Sequence, residues 1–177
     1  MIKNSNDAEL EACLNVANLM VAAARTAPKA RGFDSLYTLI VTGEEKDKLA
    51  DYMKEYGEKM DISFFVRDSV NVKNSPVVVL LGVSVEPIYI KGCNFCGFDG
   101  CEECKKNGGY CAYKTTDLGI ALGSAAGIAS LHHCDNRIMY SVSKAALDLG
   151  YFPEKVKVAF GIPLSITGKN QFFDRKH

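Results

Sequence analysis

The sequence predicts a layered α/β (α+β) domain in which a mixed sheet of about four or five strands is flanked by helices. Three observations carry that reading. Amphipathic helical stripes alternate with short β-branched runs, one run at 76–83 (PVVVLLGV) is continuously apolar, and neither an internal repeat nor a low-complexity linker divides the 177 residues. At 47% hydrophobic and 24% charged, a chain of this length buries roughly 70% of its extended-chain surface in one core. Residues 1–177 therefore read as a single domain, with 91–113 as an inserted segment of different character.

Residues 7–25 place Leu10, Cys13, Leu14, Ala17, Met20, Val21 and Ala24 on one stripe at helical spacing, with Asn6 and Glu9 as a capping box. Pro28 ends this helix and leaves a basic loop that carries Arg25, Lys29 and Arg31. Residues 36–42 (LYTLIVT) read as a buried strand. Thr42 and Glu45 offer a second capping box for a helix over 44–60, which turns Leu49, Met53, Tyr56 and Met60 to one side. Residues 62–66 (ISFFV) read as a short strand beside 76–83, the apolar strand expected at the sheet centre. The polar stretch between them forms a turn or a short helix.

Beyond the inserted segment, Thr115 or Thr116 is positioned to cap a helix running to about 132, with Asp117 in its first turn. Gly119, Gly123 and Gly127 recur every four residues on that helix and, with its alanines, make it thin enough for close approach by another backbone or a flat ligand. It reads as a central buried helix. A helix over 138–149 ends at Gly150, the natural left-handed C-terminal residue, and 156–162 is the last strand. The tail SITGKNQFFDRKH carries a Phe172–Phe173 pair whose rings need a covering surface.

Lys+Arg and Asp+Glu balance at 21 each, which removes the global field expected of a nucleic-acid or anionic-membrane partner. MIKNSNDAEL lacks the apolar core of a signal peptide and no run is long enough to span a bilayer, so a cytoplasmic protein is expected. Thiols stay reduced there, and clustered cysteines then point to metal or redox chemistry rather than to disulfides.

Five of the seven cysteines, Cys93, Cys96, Cys101, Cys104 and Cys111, fall in the pattern C-x2-C-x4-C-x2-C-x6-C within KGCNFCGFDGCEECKKNGGYCAY. That segment has almost no aliphatic side chains to close a core, so metal–thiolate bonds are the natural source of its order. A compact glycine-rich loop with four converging thiolates suits an iron-sulfur cluster. Zinc takes the same ligands, but structural sites usually separate their two C-x2-C knuckles by more than the four residues between Cys96 and Cys101. Spacing favours a 4Fe-4S cluster on Cys93, Cys96, Cys101 and either Cys104 or Cys111, with zinc as the alternative. Cys13 reads as a small core residue, and His132-His133-Cys134 as the ordinary end of a helix.

Taken together, AARTAPKARGFD, CNFCGFDGCEEC with a further Cys111, DLGIALGSAAGIAS, DNRIMYS and GIPLSITGKNQFFDR resemble a family of small ferredoxin-domain proteins of anaerobic microbes, over nearly the whole chain. The Cys-x2-Cys-Gly-x3-Cys opening also looks like the four-iron domains of electron-transfer and corrinoid proteins. There the fourth ligand lies further along, which favours Cys111 over Cys104. Outside the cysteines the layout resembles a shortened nitroreductase-type flavoprotein: a first helix running into an Ala-Pro basic loop, a small-residue helix, and a late Gly161-Ile162-Pro163 strand. The chain departs from that pattern in lacking an Arg-rich entry motif in MIKNSND and in having Gly32-Phe33-Asp34-Ser35 where the family has Asn-x-Gln-Pro. The resemblance implies electron transfer with a redox protein or small molecule, a homodimer, and an FMN site where Arg25, Lys29 and Arg31, the Gly123 helix face and Lys169 of the tail would meet.

Overall fold

The computed structural model describes residues 2–173; Met1 and the last four residues of the basic tail lie outside the described residues. Helix α1 spans Ser5–Thr26, and its N-terminal cap is Asn4, whose side chain accepts the Asp7 N–H at 2.9 Å, rather than the expected Asn6–Glu9 box. Its buried face is Cys13, Val16, Ala17, Met20 and Ala24, while Leu10 of the expected stripe stays exposed. A single turn at Ala30–Gly32 leads to strand β1, Leu36–Thr42, and then to α2, Gly43–Met60. Thr42 caps α2 through its extended backbone, with no hydrogen bond from its side chain.

Residues 62–66 do not form a strand; they open helix α3, Ser63–Lys73. Asp61 adopts a left-handed conformation (φ 55°) that closes α2 and sends the chain back across it. A methyl at Gly57 would stand 2.8 Å from the Phe65 Cβ, so the two helices meet where α2 has no side chain. Helical spacing then buries Phe65, Ser69 and Val72 together, and this tertiary packing overrides the β propensity of ISFFV.

Strand β2, Val77–Ser84, is buried along its whole length. Val77, Val79, Leu81 and Val83 face one core with α1, while Val78 and Leu80 face a second core with α2 and α3. The short helix α4, Cys101–Lys106, lies in the cysteine segment and is followed by α5, Ala112–Leu131. A two-residue strand β3 at Asp135–Asn136, helix α6 at Tyr140–Asp148 and strand β4 at Val156–Ser165 complete the chain. The sheet order is β1-β2-β4-β3. Each of its ladders is antiparallel rather than mixed, with Leu36 opposite Val83 and Val77 opposite Leu164. Helices α1 and α5 cover one face, and α2, α3 and α6 the other.

Two expectations for α5 change. It starts before Thr115 and Thr116, whose hydroxyls both donate to the Ala112 carbonyl inside the helix, so Asp117 falls beyond the first turn. Nor is the helix buried all round. Leu118, Ala121, Ala125 and Ala129 form its packed side, whereas Gly119, Gly123 and Gly127 are exposed and face open space. Gly150 is left-handed after α6 (φ 72°), as expected. The tail folds onto its own chain: Phe172 enters the α2/α3/α6 core, and exposed Phe173 lies against Arg137. Among the described residues no helix is long and apolar enough to cross a membrane.

Candidate metal centre and the adjoining basic loop

The cysteine segment leaves the end of β2 and returns at the start of α5. The Cys111 N–H donates to Val85 O at 3.0 Å, which pins the two ends of the excursion together. Gly100 takes φ 88° to start α4 with a backbone that side-chain-bearing residues avoid. The first turn of α4 then carries Cys101 and Cys104 inward, and the Gly109 N–H donates to Cys104 O at 2.8 Å. Gly109 is the tight point, since an added Cβ would lie 2.4 Å from Phe98 Cε2 and 2.9 Å from Cys104 Sγ.

All five cysteines of the segment line one pocket, walled by Pro87, Ile88, Ile90, Phe95, Ala112 and Tyr113. Cys104 and Cys111 are buried, and Cys93, Cys96 and Cys101 are half-buried. Burial pushes the Cys104 thiol up to about 11, helped by its hydrogen bond with Cys96 and by the negative charge that Cys96, Cys111 and Cys101 would bring. A bound cation would offset that cost at Cys104. Among the described residues no group of three or more His, Cys, Asp and Glu side chains is drawn together tightly enough to hold a single metal ion. The thiols thus share a pocket without closing a cage. Phe95, 76% exposed, stacks on Tyr113 at the rim.

The basic loop is tied down by its own cations. Arg25 Nη1 donates to Asp34 Oδ2 at 2.6 Å and to Leu36 O at 2.8 Å. Burial would raise the Asp34 carboxyl, but the Leu36 N–H and the Arg25 guanidinium outweigh it and hold that group below the usual carboxylate range. Lys29 Nζ donates to Arg25 O and Ala27 O at 2.5 and 2.7 Å. Arg31 Nη1 reaches across to Ile88 O and Tyr89 O at 2.9 and 3.1 Å, so it grips a wall of the cysteine pocket.

Two residues of α5 complete this junction, and neither stood out in the sequence for this role. Buried Lys114 donates to Phe33 O at 3.1 Å, and buried Asp117 accepts the Ala30 N–H on Oδ1 at 3.0 Å while its Oδ2 has no partner. Their only trace in the sequence is a polar residue on the face that helical periodicity turns inward. A second pocket, lined by Phe33, Asp34, Ser84, Glu86 and Lys114 among others, shares Pro87 and Ile88 with the cysteine pocket.

Residues 107–175 match the family model described as "uncharacterized protein containing a ferredoxin domain". An uncharacterized protein of Archaeoglobus fulgidus is 38% identical over 99% of this chain and 98% of its own length. The chain belongs to this ferredoxin-domain family. Its fold is nitroreductase-like. A Lactococcus lactis nitroreductase in complex with nicotinic acid superposes with a TM-score of 0.61 at 16% identity, covering 98% of this chain and 86% of that one. A Desulfitobacterium hafniense nitroreductase with bound FMN gives 0.61 at 14% identity, over 96% and 81%.

In this ferredoxin-domain protein the expected FMN residues are not brought together within one chain. Arg25, Lys29 and Arg31 sit by Lys114 and Asp117 near the start of α5, each already engaged by a carbonyl or a carboxylate. The loop of Lys169 sits by Asp135, past the other end of that helix, where Asn170 Nδ2 donates to Asp135 Oδ1. Helix α5 has 20 residues, or about 30 Å. Gly123 lies between the two groups on the open face.

Proposed function

We propose that this ferredoxin-domain protein binds an iron-sulfur cluster of the four-iron type and passes single electrons to or from a redox protein or a small molecule. The observation that supports this reading is the convergence of five cysteines on one pocket with apolar walls. Four of Cys93, Cys96, Cys101, Cys104 and Cys111 would hold the cluster, and the donor set, all thiol, fits that group. Bound, such a cluster supplies reversible one-electron transfer. Family membership and the nitroreductase-like fold support a redox role.

The chain's own contribution is water exclusion and orientation. Ile88, Ile90 and Phe95 keep solvent from the sulfurs, and Arg31 fixes the Ile88 wall through two carbonyls. Backbone N–H groups of a glycine-rich loop and the degree of solvent exposure then tune the potential. Exposed Phe95, stacked on Tyr113 beside the pocket, offers a surface through which a partner approaches.

The test is metal and sulfide analysis of protein purified without oxygen. The expected result is brown protein with iron and sulfide near four each per chain, as a four-iron cluster requires, and absorbance that bleaches with dithionite. Cys96→Ser should lose the iron and Cys13→Ser should keep it. Colourless protein with about one zinc per chain would replace this reading with a zinc-stabilised binding module.

A further inference from the structure

The two cysteines outside the segment stand in contact. Cys13, midway along α1, and Cys134, just past α5, are 121 positions apart in the chain with their sulfurs 4.0 Å apart. Both are buried, at 0% and 2% exposure. Each taken alone is a small core residue. As a pair they need only about 2 Å of closure to reach disulfide distance.

We propose that Cys13 and Cys134 form a reversible dithiol–disulfide site that locks α1 to the end of α5. It is independent of any cluster chemistry in the 91–113 segment. Cys13 also contributes to the wall of a surface groove with Glu9, Leu10, Pro76 and Ile166, the side from which a small oxidant would approach its buried sulfur. The pair is asymmetric. Its hydrogen bond with Cys134, and burial, push the Cys13 thiol far up, while the same hydrogen bond holds Cys134 below the ordinary thiol value.

The oxidant is a low-molecular-weight disulfide. The Cys13 sulfur attacks it, forming a mixed disulfide on Cys13 and releasing one small thiol with the Cys13 proton. The Cys134 thiolate then attacks the Cys13 sulfur, forming the protein disulfide and expelling the second small thiol, which takes the Cys134 proton. Two protein thiols are oxidised and one small disulfide is reduced to two thiols. The first step is the slow one, because a thiol with a raised pKa supplies little thiolate at neutral pH.

The experiment treats full-length protein with excess hydroxyethyl disulfide under anaerobic conditions, alkylates the remaining thiols, and maps the peptides by mass spectrometry. The expected product joins the Cys13 and Cys134 peptides and disappears on treatment with dithiothreitol. Closing so long a loop should also raise the thermal midpoint of the wild type by on the order of 10 °C, with no such rise in Cys13→Ser. Cys134→Ser should accumulate the mixed disulfide on Cys13. The proposal is overturned if both thiols remain fully alkylatable after the reagent has modified other cysteines. It is equally overturned if the linked peptide forms only after the chain has been unfolded. The wild-type map needs no variant, so it decides the matter even where a substitution prevents folding.

Discussion

Gly109→Ala is the smallest change that bears on the cysteine pocket without removing a thiol. The added methyl would meet Phe98 Cε2 at 2.4 Å, Phe98 Cζ at 3.0 Å and Cys104 Sγ at 2.9 Å. Carbon atoms pack favourably at about 3.5–4.0 Å, so the contact with Phe98 must open by more than about 1 Å. Phe98 is only partly buried and can swing outward. Cys104 has no such freedom, being 1% exposed with its carbonyl held by the Gly109 N–H. Overpacking of this kind costs about 1–3 kcal/mol. If the cost falls on the closed loop alone, its population relative to open forms drops about 5- to 150-fold. The assay is iron release to a chelator, followed by loss of visible absorbance, with Gly123→Ala as a control because that position faces open space. Gly109→Ala should release iron at least several-fold faster than wild type, and the control should match wild type. Equal rates for all three proteins would refute the argument that Gly109 sets the pocket's shape.

The open face of α5 makes a separate prediction: if water covers it, Gly119, Gly123 and Gly127 changed together to Ala should raise the thermal midpoint by several degrees, since each Gly→Ala in an exposed helix interior gains roughly 0.8–1 kcal/mol. A fall in the midpoint, or dissociation seen by light scattering, would show that a second chain packs there. We expect a homodimer, and a mass that stays monomeric at all concentrations would count against it. Truncation before Gln171 should destabilise the fold itself, because Phe172 is 3% exposed in the chain's own core; an unchanged denaturant midpoint would contradict that placement. Acid unfolding tests the basic loop. The Asp34 carboxyl is held below its ordinary 3.8, so its contribution to stability is present above that value and is lost as pH falls through the lower folded-state value. Asp34→Asn should therefore flatten the stability profile below about pH 4 relative to wild type, and identical acid limbs would remove the Arg25–Asp34 pair from the account.

Local patterning was enough to mark out most of this protein. β-branched composition located β1, a mostly half-buried edge strand, and the apolar run located β2, which is buried on both faces and so has no polar side to disguise it. The cysteine spacing identified the segment that lines the pocket, since ligand chemistry depends on residue type and local reach rather than on distant neighbours. Tertiary structure decided the rest. ISFFV became the start of α3 because Gly57 lets Phe65 pack against α2, a contact that outweighs the weak β preference of a five-residue run. The two-residue β3 has no propensity signal of its own and exists because β4 offers an edge. Arg25, Lys29 and Arg31 look in sequence like cations waiting for a phosphate. Folding turns them onto Asp34 and the carbonyls of residues 25, 27, 36, 88 and 89, because a loop wedged between α5 and the cysteine pocket must satisfy the backbone groups it buries. No local pattern could announce that Cys13 and Cys134 touch, since their proximity depends on how α1 packs against α5 over the face of the sheet.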